Sequence, residues 1–80
     1  MIEEKEMIMK KTQVFFKEQI IVHIKLKTGF WKRGLITEVS ADFFMLDETL
    51  EGIQPVFFQE IESIEKFYAN RMERVKDGKQ

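Results

Sequence analysis

Few side chains in this chain have the type and spacing for bond-making chemistry. His23 is the single histidine and the chain has no cysteine. A structural metal site needs three or four ligands, so His23 reads as a surface or interface residue and no metal or cofactor is expected. Asp47-Glu48-x-x-Glu51 could hold a hard cation weakly, but a charged turn is the commoner use of that pattern. Ser40 and Ser63 have no base near them in sequence, and no glycine-rich phosphate loop is present. These absences point away from an enzyme and toward a binding or assembly protein.

Composition narrows the class. Eighty residues make one domain close to the lower limit for a self-sufficient core, and 44% of them are hydrophobic, with eight Phe. Some of that apolar surface is expected to meet another subunit. The formal net charge of −1 argues against a generic polyanion binder. Charge is nonetheless segregated along the chain. From Gly34 to Glu65 there are eight acids and no Lys or Arg, and all thirteen basic residues lie outside that stretch. A fold that separates these segments would carry one basic and one acidic face; alternating solvated charge is the plain alternative. The acidic start, Glu3-Glu4-Lys5-Glu6, with no long apolar run, reads as neither signal peptide nor membrane span. The expected setting is cytoplasmic.

The elements follow from periodicity. Residues 2–18 lack Gly and Pro, and Met7, Ile8, Val14 and Phe15 form one apolar stripe at helical spacing, widened by Met9 and Phe16. From Ile20 the period becomes two: Val22, Ile24 and Leu26 point one way, His23, Lys25 and Lys27 the other. Thr28-Gly29 makes a tight turn. Phe30 to Val39 is a long strand with Gly34 inside it, the mark of a sharp bend or close backbone approach. Three shorter strands follow, at Phe43–Leu46, Ile53–Phe58 and Glu62–Phe67, the last two joined by a one-turn connection at Gln59-Glu60-Ile61. The predicted architecture is mainly β: an N-terminal helix, then a five-stranded, strongly bent antiparallel barrel over residues 20–67. Residues 1–67 form one domain, and the polar tail 68–80 is expected to fray, with a short helix through Met72 and Val75 as a variant. The strand Val56-Phe57-Phe58 would be an aggregation hazard if left unpaired, so pairing with a neighbouring copy is expected.

The run Val22-His23-Ile24-Lys25-Leu26-Lys27-Thr28-Gly29, then Gly34-Leu35-Ile36, Phe43-Phe44-Met45-Leu46, and Phe57-Phe58-Gln59-Glu60-Ile61-Glu62-Ser63-Ile64 resembles the Sm/LSm family of SH3-like barrels. In layout it is closest to the bacterial Hfq branch, which also begins with a helix. The resemblance covers about residues 8–66 and implies a homo-oligomeric ring of five to seven or so subunits that binds RNA. Pairing of the fourth strand with the neighbour's fifth would place Val56, Phe57, Phe58, Ile64 and Phe67 at the subunit interface.

The sequence departs from the family on the pore side. Ser40 stands where the family has Asp, Asp42 where it has a stacking aromatic, and Phe57, Phe58, Gln59 and Glu60 where its cationic loop lies. A site without cations and with added acids repels phosphate, so pore-side RNA binding is not carried over. The opposite face is. The positions matching the family's purine-rich RNA site are Lys25, Gly29, Phe30, Trp31, Lys32 and Arg33. Their aromatics offer stacking platforms and their cations neutralise phosphates. The alternative for Trp31 is packing on a neighbouring subunit, and Lys32 with Arg33 could be a plain solvated pair. Lys10, Lys11 and Lys17 could form a weaker rim patch. A ring that serves as a protein-assembly scaffold without RNA, and an SH3-like barrel that is monomeric until bound to a larger complex, are the other two readings of this sequence.

Overall fold

The computed structural model describes residues 4–68. Helix α1 (Lys5–Lys17) is followed by strands β1 (Ile21–Leu26), β2 (Trp31–Val39), β3 (Phe43–Glu48) and β4 (Gly52–Phe57), a single 3-10 turn at Phe58–Glu60, and β5 (Ile61–Lys66). This is the predicted helix-plus-five-strand order. The expected C-terminal fraying and short helix lie outside the described residues.

Helix α1 has Glu6 in its first turn and Lys17 in its last, as the helix dipole favours. It stops without glycine. Gln19 takes φ 55°, and the backbone N–H groups of Gln19 and Ile20 reach back to Phe16 O (3.2 Å) and Phe15 O (3.0 Å). That is a Schellman cap, which satisfies two carbonyls that the helix end would leave open. The buried face of α1 differs from the stripe read in the sequence. Ile8 and Thr12 are buried, with Met9, Phe15 and Phe16 packed beside them, whereas Met7 and Val14 are half exposed. Thr12 was invisible to a hydrophobicity pattern. It fits in the core because its hydroxyl donates to Ile8 O at 2.8 Å, so no polar atom is left unpaired.

The strands form one antiparallel sheet in the order β4-β3-β2-β1-β5. Strand β2 holds it together: Trp31–Leu35 pair with β1, and Gly34–Val39 pair with β3. The two runs overlap at Gly34 and Leu35, where the strand bends to serve both halves. At the β1–β2 turn, Gly29 has φ 100° and its N–H bonds to Leu26 O at 2.9 Å, the positive-φ turn foreseen there. Inward-facing Val22, Ile24, Ile36, Phe44, Leu46, Val56, Phe58, Ile61 and Ile64 join Ile8 in a single core. Lys27 N–H to Glu60 O (2.9 Å) and Phe58 N–H to Asp42 O (3.0 Å) anchor the 3-10 turn to both halves of the sheet.

Several boundaries moved by one or two residues: β2 starts at Trp31 rather than Phe30, and β5 runs Ile61–Lys66 rather than Glu62–Phe67. Asp47 and Glu48 lie in β3, pairing with Ile53 and Gly52, so the acidic loop shrinks to Thr49-Leu50-Glu51. Strand β4 ends at Phe57, because Phe58 opens the 3-10 turn.

Candidate functional site

Strands β4 and β5 are the two ends of the sheet, so each has one side of its backbone without a partner strand within this chain. Along β4 the residues alternate. Val56 points into the core, while Ile53 and Phe57 remain 64% and 40% exposed. Phe57 stacks on Phe43 of β3, with ring centroids 5.3 Å apart, which places an aromatic pair on the outer side of this edge. Of the residues expected at a subunit interface, Phe57 and Phe67 present side chains outside the core. Val56, Phe58 and Ile64 do not. They are 1%, 2% and 0% exposed and belong to the protomer's own core, so backbone is what they could offer a neighbour. Strand alternation is the reason: a row whose backbone lies at an edge still turns every second side chain inward.

The outer face of β1, β2 and the end of β5 carries a continuous ladder of rings and cations. His23 lies 4.3 Å from Trp31 and meets Phe67 edge-on at 5.6 Å. Arg33 sits 4.6 Å over the Phe67 ring, and Lys25 5.8 Å from the Trp31 ring. The register explains the order, because His23 pairs with Arg33 and Lys25 with Trp31. Cation–ring attraction of this kind orders the side chains. Partial burial, and secondly the nearby Arg33 charge, hold the His23 imidazole below its usual pKa of 6.5. Trp31 keeps 53% of its surface and Phe30, next to the turn, 73%.

The six residues expected to act together therefore split. Lys25, Trp31 and Arg33 share the ladder, Gly29 forms the turn, and Phe30 sits at its tip. Lys32 falls on the opposite side of β2 and donates a hydrogen bond to Gln54 of β4. The cause is again period two. Lys32 and Arg33 are sequence neighbours, so one strand cannot aim both at the same face.

Among the described residues, the charge segregation along the chain does not become two faces. Strand β1 is inserted between β2 and β5, which brings the acidic C-terminal segment against basic neighbours. Lys11 pairs with Glu65 at 2.7 Å and Lys25 with Glu62 at 3.6 Å. Both are surface contacts of small energetic weight, but they lower the net positive charge beside the ladder.

A second feature escaped the sequence reading. The hairpin tip and the β3–β4 turn enclose a cleft lined by Phe30, Trp31, Lys32, Glu48, Leu50 and Glu51. Glu48 caps that turn. Its Oε1 accepts the backbone N–H groups of Glu51 (2.7 Å) and Leu50 (2.8 Å), which hold its carboxyl below the ordinary range. Among the described residues no cluster of three His, Cys, Asp or Glu side chains could hold a metal ion, and no helix is long and apolar enough to cross a membrane.

A leading helix, one antiparallel sheet of five strands and a second strand bent at glycine to serve both halves define the Sm-like fold. Among solved structures, the chain superposes on a 1.55 Å crystal structure of Hfq, described as a pleiotropic translational regulator, with a TM-score of 0.62 and 20% identity. The match covers 69% of this chain and 90% of that one. No family model and no curated protein sequence matches the chain. The fold is thus that of Hfq and the Sm-like proteins.

Proposed function

We propose that this chain assembles into a closed homo-oligomeric ring and binds single-stranded RNA on the outer face of β1 and β2. The observation that carries the ring is the pair of open edges, β4 and β5, at opposite ends of one sheet. Exposed Ile53 and Phe57 beside an open ladder are a liability in a lone copy, and cyclic pairing of β4 with the next copy's β5 removes both edges at once. The structural neighbour is described as a translational regulator, the sequence resemblance to the Sm/LSm family implies RNA binding, and the ladder of Trp31, His23, Phe67, Lys25 and Arg33 has the stacking surfaces and cations that single strands require. Such a ring is a binding protein, not an enzyme, and the cytoplasm is where it would meet its RNA.

Trp31 is the only tryptophan, so its fluorescence reports on this face alone. The test combines light scattering at micromolar concentration with titration of adenosine- and uridine-rich oligomers against Trp31 emission. The expected result is a mass of several subunits and saturable quenching. A monomer removes the ring. A ring whose emission ignores every oligomer removes the RNA role and leaves the scaffold reading.

A further inference from the structure

We propose that the cleft between the β1–β2 hairpin tip and the β3–β4 turn reads guanine in the bound strand. The inference rests on the RNA reading above and names the base that this face selects. The cleft has a volume of about 260 Å³. Its apolar walls are Phe30, Trp31 and Leu50, which are 73%, 53% and 86% exposed. Three large apolar side chains left open around one small cleft make a surface against which a planar base can stack or pack.

The polar wall decides which base. Lys32 donates to Gln54 Oε1, and Gln54 Nε2 donates to Glu51 Oε1 at 3.1 Å. Glu48 Oε1 is occupied by two backbone N–H groups, which fix the turn that carries Glu51. Lys32 and Gln54 each spend one N–H on this relay. The remaining N–H groups of Lys32 can meet a carbonyl such as guanine O6, whereas each carboxylate retains acceptor capacity, since an ionised carboxylate has about four lone-pair sites. Guanine presents two adjacent donors, N1–H and N2–H, which a carboxylate accepts side by side. Adenine sets its N1 lone pair beside its N6 donor, and uracil flanks N3–H with two carbonyls. Both would bring lone pairs against the carboxylate, so the wall rejects as well as attracts.

The charge distribution fits this orientation. Trp31 belongs both to the cleft and to the ladder. A base held in the cleft therefore leaves its phosphates beside Lys25 and Arg33, away from Glu48 and Glu51. Acids face the base and cations face the backbone, the usual division between specifying and positioning contacts.

The test titrates the assembled protein, by Trp31 fluorescence, with an adenosine nonamer and with the same nonamer carrying one central guanosine, inosine or uridine. The guanosine oligomer is expected to bind about ten-fold more tightly, the gain typical of one good bidentate base contact. Inosine, which lacks the N2 amine, should recover only part of that gain. Glu51→Gln should bring the guanosine preference below about three-fold without weakening the adenosine nonamer. Equal affinity for all four oligomers in the wild-type protein overturns the guanine pocket and leaves the RNA reading standing. A preference that survives Glu51→Gln also overturns it. Absence of binding to any oligomer overturns both.

Discussion

Gly34 of β2 and Asp47 of β3 approach so closely that a Cβ built on Gly34 would lie 2.2 Å from the Asp47 carbonyl oxygen. Next to it, at Leu35, β2 still pairs with Ile21 of β1 while pairing with Asp47. The glycine is therefore the point where one strand leaves one half of the sheet for the other. The obstructing atoms are backbone, which cannot swing away like a side chain. Gly34→Ala is expected to destabilise the fold by about 3 kcal/mol, at the upper end for overpacking. Urea unfolding followed by circular dichroism checks it, and a loss under about 1 kcal/mol would mean that β2 does not bend here.

Phe57 and Phe58 are adjacent and have opposite roles. Phe58 is 2% exposed, with its ring centroid 5.6 Å from that of Phe44, and Phe57 lies outside with Phe43. Phe58→Ala should cost about 3–5 kcal/mol, a large share of what a small domain has in total. Phe57→Ser should leave far-ultraviolet dichroism intact and shift the light-scattering mass toward monomer on dilution. If Phe57→Ser instead unfolds the chain, or keeps the wild-type mass at every concentration, the edge does not serve assembly.

Lys32 and Arg33 separate in the same way, and RNA affinity as a function of salt tells them apart. Arg33 lies on the ladder, where a phosphate contact releases counterions. Arg33→Ala should weaken binding of an adenosine oligomer and flatten the log–log salt slope by about 0.7, the single-strand value for one lost contact. Lys32 is engaged with Gln54 of β4 on the other side of β2, so Lys32→Ala should leave that slope unchanged. Equal changes in both variants would mean that the two cations meet the same strand of phosphates.

What the sequence made legible follows from what its patterns encode. The change of period at Ile20, Gly29 in its turn and Gly34 inside a strand carried the element order and the bend, because each is a local backbone requirement. On the helix, Ile8, Met9, Phe15 and Phe16 were legible as the core-facing side, while Met7 and Val14 lie half exposed and Thr12 was missed, since a hydrophobicity pattern cannot see that Thr12 satisfies its own hydroxyl at Ile8 O. The acidic segment suggested a separate face, but the insertion of β1 between β2 and β5 is a long-range fact, and it mixes the charges. The cleft was hidden for the same reason: Phe30 and Glu51 are far apart in sequence, and the packing of two turns brings them together.

His23 gives the ladder a pH response whose sign can be worked out. Burial against its neighbours, and then the Arg33 charge, place its folded pKa below 6.5. The ionisable groups around it are Arg33 and Lys25 on the ladder and Glu65, its register partner on β5. Between the lowered value and 6.5 the unfolded chain binds more protons than the folded one, so stability rises with pH across that window. The contribution of neutral His23 is complete above 6.5 and is lost as pH falls toward the folded value. Wild type should therefore lose more urea resistance than His23→Gln between pH 7.5 and 5.5. The stacked geometry supplies a direct readout, since protonating an imidazole 4.3 Å from the indole alters Trp31 emission. Its midpoint should lie below 6.5, and Arg33→Gln should raise it only part of the way, because burial is the larger cause. A midpoint at or above 6.5 would show that Glu65 dominates and stabilises the imidazolium instead.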